Sequence, residues 1–262
     1  MAGKKQRHPL YVLFLLLMLL MLALVCICLS SAVSKGIALC RLRRFRRISS
    51  EVSSAMYEKL GQWLSHRNPP NEPIPAADYF ASLPRLTTDR LLLRPLTMRD
   101  AADMFAYSRD PEVARHVLWD AHKSMADTRS CLRYIISQYH SGAPSSWGIV
   151  LRETNRVVGT IGFMSYSDAD SVVELGYSLA RSCWNGGLMT EALAAVLREC
   201  FTALRIHRVE AMHECDNPAS GRVMEKCGMH HEGTLRGKVF NKGNFHDVEL
   251  WAMLREDWDA RH

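Results

Sequence analysis

The sequence predicts an α/β (α+β) domain, a mixed and mostly antiparallel sheet flanked by helices, preceded by one membrane-spanning helix. Three observations carry this. Twenty consecutive uncharged residues, Leu10 to Leu29, stand near the start of a 262-residue chain. Two apolar runs, Trp147 to Leu151 and Val157 to Tyr166, are joined by Arg152-Glu-Thr-Asn-Arg156, which is a hairpin signal. From Thr190 the apolar spacing changes from the strand period to the helix period.

At about 1.5 Å rise per residue, the Leu10–Leu29 helix would cross a hydrocarbon core of roughly 30 Å. A secretory signal has a shorter apolar core, of about 7–15 residues, although Ser30-Ser31-Ala32 keeps cleavage open as an alternative. The expected span is residues 10–33, after a basic flank at 1–9. Lys4, Lys5 and Arg7 precede it, whereas Lys35, Arg41, Arg43, Arg44, Arg46 and Arg47 follow it, so the C-terminal part is expected on the cytoplasmic side. The run Arg41 to Arg47 reads as a stop-transfer flank rather than a lipid-recognition site. No acid occurs before Glu51, so these cations account for the net charge of +6 and the remainder is slightly acidic. A nucleic-acid binder carries its basic excess on the folded domain, which argues against that class.

Residues 34–84 are expected to form the basic flank and a linker, with a short amphipathic helix over Val52–Leu64 and a stiff proline-rich stretch from Arg67 to Pro75. The folded domain is then residues 85–262. An alternative start at Met56 would remove the membrane helix. The eight cysteines form no CxxC pair and no His/Cys cluster of metal-binding spacing, so they read as free thiols and no metal is expected.

Within the domain, Arg90 to Leu96 reads as a strand, Thr97 as the cap of a following helix, and Met125 to Tyr139 as an amphipathic helix with Cys131, Leu132, Ile135 and Ile136 inward. The hairpin comes next, then a strand over Val172–Leu179. The helix from Thr190 buries Ala192, Leu193, Val196, Leu197, Cys200, Phe201 and Leu204. Arg208 to His213 is a strand. Asn217-Pro218 opens a helix as N-cap and first residue, and Gly228 ends it. Phe245 to Leu254 is the last long strand.

The chemistry concentrates where the strand Val173-Glu-Leu-Gly-Tyr-Ser-Leu-Ala180 meets Trp184-Asn-Gly-Gly-Leu-Met-Thr-Glu-Ala192. A strand runs into a small-residue loop, and the loop runs into a helix. Loop N–H groups and the helix N-terminus then converge with partial positive charge, which suits a pyrophosphate. Gly186 and Gly187 let the backbone approach a ligand closely. A Gly-Gly loop by itself is equally consistent with ordinary tight turning.

The whole pattern resembles the acyl-CoA-binding motif of the GNAT superfamily, in the branch that acetylates the N-termini of ribosomal proteins. Trp184, Gly187, Met189, Thr190, Glu191 and Ala192 match that branch's W-G-x-G-x-A/M-T-E-A loop. Asn185 replaces the first glycine, and Asn tolerates left-handed backbone angles. Downstream, Asn217-Pro-Ala-Ser220, Val223-Met-Glu-Lys-Cys-Gly-Met229, Glu232-Gly233 and Phe245-His-Asp-Val-Glu-Leu250 continue the likeness. Upstream, Leu86 to Asp100 looks like the branch's opening.

The resemblance implies a GNAT fold and transfer of an acetyl group from acetyl-CoA to a primary amine, a protein N-terminus or a small-molecule amine, by direct attack, without a metal. It implies cofactor contacts from Tyr177, Ser178, Leu179, Trp184, Asn185, Gly186, Gly187, Leu188, Met189, Thr190 and Asn217, with a backbone N–H near Tyr177–Leu179 meeting the oxyanion. Glu174 is the expected base, its rival reading being an ion-paired strand residue. Ser220 is the expected partner of the leaving sulfur, its rival reading being a first-turn helix hydroxyl. Asn217 resembles a cofactor contact and reads equally well as an N-cap. The branch's second acidic position falls at Val239, so the proton route is expected to use Glu174, or water near His246 or Asp247. The competing function, an acyl-CoA sensor without turnover, rests on that missing acid.

Overall fold

A computed structural model describes residues 74–262. The expected membrane span, its basic flanks and most of the linker lie outside these residues. Among the described residues no helix is long and apolar enough to cross a membrane.

The chain enters the fold through α1 (Ala76–Ala81) and continues into β1 (Leu86–Thr87) and β2 (Leu91–Pro95). A 3₁₀ turn over Met98–Asp100 leads into α2 (Ala101–Ser108), then α3 (Pro111–Ala114) and α4 (Met125–Ser141). The strands β3 (Ser146–Leu151), β4 (Arg156–Ser167) and β5 (Val172–Leu179) follow, and α5 (Leu188–Thr202) crosses over to β6 (Arg208–Glu214). Last come α6 (Pro218–Lys226), β7 (His230–Asn241), β8 (Asn244–Leu254) and α7 (Arg255–Asp259). They form one eight-stranded sheet in the order β1-β2-β3-β4-β5-β6-β8-β7. Every neighbouring pair is antiparallel except β5 and β6. That parallel step needs a crossover, which α5 supplies.

Two apolar layers cover the sheet. Successive strand residues face opposite sides, and Ile149 and Val150 accordingly belong to different clusters. On one face the α5 stripe of Ala192, Leu193, Val196, Leu197, Cys200 and Phe201 packs on Leu91, Leu93, Ile149, Val173, Leu175 and Val209. On the other, Met104 and Tyr107 of α2 and Leu132 of α4 pack on Leu96, Val150 and Val157. The helical period read from the sequence therefore faces the core as expected.

The fold differs from the sequence reading in two elements. The linker expected to run to residue 84 stops short, because Tyr79 and Phe80 of α1 are buried in the first layer. Tyr79 Oη donates to Glu199 Oε2 of α5 at 3.0 Å, and burial together with that carboxylate keeps the phenol protonated. Also, β7 was not anticipated as a strand. It is exposed over most of its length, with only Asn241 buried, and Gly233 and Gly237 interrupt it with positive φ.

Arg94 and Asp100 fasten β2 to the start of α2. Two parallel bonds join them, Nη2 to Oδ1 at 2.6 Å and Nη1 to Oδ2 at 2.9 Å. The Asp100 carboxylate also accepts from the Thr97 N–H at 2.7 Å. Burial alone would raise the Asp100 pKa, but these bonds outweigh it and hold the carboxyl below its ordinary value.

The sheet is split in its middle. The pairing of β5 with β6 runs from Val172↔Arg208 to Leu175↔Ala211 and stops there. Beyond that point β5 stays with β4 as far as Leu179, while β6 stays with β8 as far as Glu214. The two strands diverge into a fork whose open end faces α3, α5 and α6.

Candidate active site

The fork leads into a cleft of about 340 Å³, within the usual range for small-molecule sites of about 300–1,000 Å³. One wall is the unpaired edge of β5. The Ala180 N–H bonds to Val158 O of β4 at 2.7 Å. Strand alternation then turns the N–H groups of Tyr177 and Leu179 away from β4 and into the fork. The carbonyl of Leu179 is taken by Trp184 Nε1 at 2.8 Å, so this edge presents the N–H groups of Tyr177 and Leu179 and the carbonyl of Tyr177.

The floor is the loop and the first turn of α5. Gly187 is the N-cap of α5, in the left-handed region at φ +74°, and Asn185 shares that region at φ +59°. The expectation that asparagine can replace the usual glycine there agrees with this geometry. The first internal bond of α5 runs from Glu191 N to Gly187 O, so the N–H groups of Leu188, Met189 and Thr190 have no partner within the helix and carry the positive end of its dipole. Glu191 anchors this loop. Its carboxylate accepts from Thr88 Oγ1 at 2.5 Å, the Arg90 N–H at 2.9 Å and Arg90 Nε at 2.7 Å. Arg90 Nη1 in turn reaches Gly186 O at 2.8 Å. Partial burial would raise the Glu191 pKa, but its donors hold it below the ordinary range.

The second wall is the start of α6. Ser220 is its third residue, as read from the sequence, but Asn217 departs from expectation. It occupies the N-cap position without capping through its side chain, and instead Nδ2 donates to Ser220 Oγ at 3.1 Å. With its lone pair so engaged, the Ser220 hydroxyl has its hydrogen free to give. Tyr177 spans the fork, donating from Oη to Ser220 O at 3.1 Å, and burial holds its phenol protonated. Gly221 lets α6 lie close to β6, since a Cβ there would stand 2.6 Å from Nε2 of buried His213.

Of the expected site residues, the cleft brings together Tyr177, Ser178, Leu179, Trp184, Asn185, Gly187, Leu188, Met189, Thr190, Asn217 and Ser220. Ser178 turns its hydroxyl to Thr160, at 3.1 Å, and Met189 turns its side chain into the core. Gly186 lies on a neighbouring hollow beside Arg90. Glu174 does not line the cleft. It pairs with Glu210 in the closed part of the fork, where burial and the Glu210 charge raise its pKa, and Lys238 lowers it in part. Val239 sits opposite His246 in the β7–β8 hairpin, and the Asp247 carboxylate is engaged by the Gly237 N–H at 2.7 Å.

Sequence reading missed residues that come from far along the chain. His116, just after α3, lines the cleft and bonds through Nδ1 to Glu214 Oε2 at 2.8 Å. Glu112, Arg115, Arg222 and Lys226 line the same cleft. Nothing in spacing could have paired His116 with a carboxylate 98 positions away. His116, Glu214 and Asp216 also bring three potential metal-ligand atoms within 4.8 Å of one another, although the 2.8 Å contact has hydrogen-bond geometry.

Residues 90–230 match the family described as Acetyltransferase (GNAT) domain. The chain belongs to that family. It is thereby an acetyl-CoA-dependent N-acetyltransferase, with the fold and the enzyme class that the loop motif implied. Among its relatives is the uncharacterized N-acetyltransferase YoaA of Bacillus subtilis, 31% identical over 172 residues, which covers 66% of this chain and 97% of the relative. The [ribosomal protein uS5]-alanine N-acetyltransferase of Escherichia coli is 28% identical over 187 residues, 69% of this chain and 96% of that enzyme. The fold is shared with the solved structure of RimL, a ribosomal L7/L12 alpha-N-protein acetyltransferase in complex with coenzyme A. That match has a TM-score of 0.59 and 20% identity, and covers 65% of this chain and 98% of the other.

Proposed function

We propose that this GNAT enzyme acetylates a protein N-terminal amine at the cytoplasmic face of a membrane, by direct attack of the amine on acetyl-CoA. The observation that carries the reading is the fork. The parted strands offer donors from Tyr177 and Leu179, beside the unpaired N–H groups that open α5. An extended, amide-bearing arm can lie along an unpaired strand edge as an added strand would. A pyrophosphate at its end meets Asn185, Gly187, Leu188 and the helix dipole, and Arg222 and Lys226 add positive charge. When bound, acetyl-CoA supplies a thioester whose acyl group is activated for transfer to nitrogen.

The chain's residues divide the remaining work. An N–H of β5 faces the fork, where it can meet a carbonyl oxygen as that oxygen gains charge. Ser220, oriented by Asn217, has a hydrogen to give a departing thiolate. The protein-amine acceptor is supported by the ribosomal-protein alanine that the uS5 relative acetylates and by motif matches spread from Leu86 to Leu250. Membrane attachment is supported by the twenty uncharged residues and the basic flank that follows them.

Calorimetric titration of acetyl-CoA into the full chain, followed by CoA release against a panel of N-terminal peptides, lysine and polyamines, tests the activity. Saturable binding with release on peptide α-amines is the expected result. Binding without release across the panel would leave an acyl-CoA-binding module in its place. Separately, the chain is expected to stay with membranes washed in high salt and carbonate; recovery in the supernatant would remove the anchor and leave the activity untouched.

A further inference from the structure

The geometry points to His116, held by Glu214, as the base that takes the proton from the acceptor amine. The proposal deepens the transferase reading above and rests on it. Glu214 is the last residue of β6, on the arm of the fork that leads to Asn217 and Ser220. Its carboxylate is nearly buried and fully committed: Oε2 lies 2.8 Å from His116 Nδ1, and Oε1 accepts from Asn241 Nδ2 at 3.0 Å. Burial alone would raise its pKa, but the bonds from Asn241 and His116 hold it down, so it stays an anion and can only accept. The hydrogen between the two residues therefore belongs to Nδ1. In the neutral imidazole the lone pair is then on Nε2, which has no hydrogen-bond partner among the described residues. A carboxylate that fixes the tautomer and orientation of a cleft-lining imidazole is the arrangement of an oriented general base.

The surroundings hold this pair in place. Asn241 Nδ2 and Lys242 Nζ both donate to the carbonyl of Val117, at 3.3 and 2.7 Å, so the β7–β8 turn clamps the His116 loop against Glu214. Asp110 caps the short helix before it, accepting from Glu112 N at 3.0 Å. The charged and titratable groups around His116 are Glu112 and Arg115 on its own segment, and Asp216 with Oδ1 at 3.5 Å. His246 stands behind Glu214 at 3.8 Å, and Arg222 and Lys226 of α6 line the cleft. This base comes from the loop after α3 and not from β5, which accounts for a chain of this family that has valine at position 239 and a Glu174 outside the cleft.

The proton balance is simple. The acceptor arrives as an ammonium, whose N–H bond breaks as the proton passes to His116 Nε2. The freed lone pair forms the C–N bond to the acyl carbon, the C–S bond breaks, and the nitrogen's remaining extra proton reaches sulfur by way of the Ser220 hydroxyl. The imidazolium then returns its proton to water.

The test uses the full chain with acetyl-CoA and the best peptide acceptor. For His116→Gln, kcat is expected to fall by about 100-fold or more, the usual contribution of a general base, while acetyl-CoA affinity is retained. Raising the pH, which deprotonates the amine in solution, is expected to recover part of the loss, and free imidazole to rescue His116→Ala. Glu214→Gln, a change to a positioning residue, is expected to displace the acidic limb of the kcat/KM profile, and Glu174→Gln to keep full turnover. A His116→Gln enzyme with unchanged rate and pH profile would overturn the proposal, as would loss of turnover in Glu174→Gln alone. Inactivation by a chelator with recovery on Zn²⁺ would overturn it in favour of a metal held by His116, Glu214 and Asp216. A wild-type chain that neither binds nor turns over acetyl-CoA would overturn the transferase reading as well, whereas silent His116 variants of an active enzyme would sink the base alone.

Discussion

Gly187→Val is expected to weaken acetyl-CoA binding by about 10- to 100-fold and leave the domain folded. A side chain at this position has space, because a Cβ would meet only Arg90 Nη2, at 3.6 Å. The obstacle is conformational. Gly187 holds φ +74° as the N-cap of α5, and a β-branched residue there is a genuine outlier. Such strain costs roughly 1–3 kcal/mol. The loop can relieve it by rotating the peptide that enters the helix, which disperses the N–H groups of Leu188 and Met189 that converge on the cleft. At about 1.4 kcal/mol per tenfold, the strain converts into the stated loss. The buried stripe of α5 lies further along the helix and holds it in place. Gly186→Ala is the control: its Cβ would stand 3.8 Å from Cys183 O with no positive φ to satisfy, so affinity near wild type is expected from the same titration.

The largest effect on stability is expected from Asp100→Ala. The side chains of Arg94 and Asp100 are 18% and 8% exposed, so removing the carboxylate strands a mostly buried guanidinium and leaves the Thr97 N–H without its acceptor. Breaking such a pair from one side costs about 3–5 kcal/mol, which for a domain of this size lowers Tm by roughly 10 °C. The dependence on pH has a definite sign. The folded-state pKa of Asp100 lies below its unfolded value, so the stabilisation is complete above the unfolded value and is lost as pH falls through the folded one. Melting curves of wild type and variant are therefore expected to differ most at neutral pH and to converge in acid. A gap that persisted undiminished below the folded-state pKa would show that the carboxylate's charge contributes nothing.

What the sequence displayed and what it concealed divide along physical lines. Elements that bury one face declare themselves by spacing, and β5, α5 and α6 stand where the period and the caps put them. Left-handed positions declare themselves by residue type, as Asn185 and Gly187 show. Short or interrupted elements do not. Six-residue α1 follows a proline-rich stretch and shows its role only in the burial of Tyr79 and Phe80. The fork is a matter of register: β5 continues to Leu179 after its pairing with β6 ends at Leu175, and a strand's own residues do not state which neighbour it leaves. Asn217 holds the N-cap position that its type and place suggested, but its side chain caps no helix N–H and instead donates from Nδ2 to the hydroxyl three residues on. The His116–Glu214 contact closes over 98 residues, and only the folded chain brings a segment after α3 to the tip of β6.

Because β5 and β6 share only four residue pairs, the sheet consists of two wings, β1–β5 and β6–β8, joined by a narrow seam. Each wing has continuous antiparallel pairing of its own. A ligand in the fork touches both, through the edge of β5 on one side and the start of α6 on the other. Its binding energy is then also coupling energy, since opening either wing releases it. Substrate concentration would set how far the two halves unfold as one cooperative unit, with the bound state gaining RT ln(1 + [L]/Kd) over the unfolded chain. The same fork that positions the acyl group would thus make the domain's resistance to unfolding depend on the concentration of its donor.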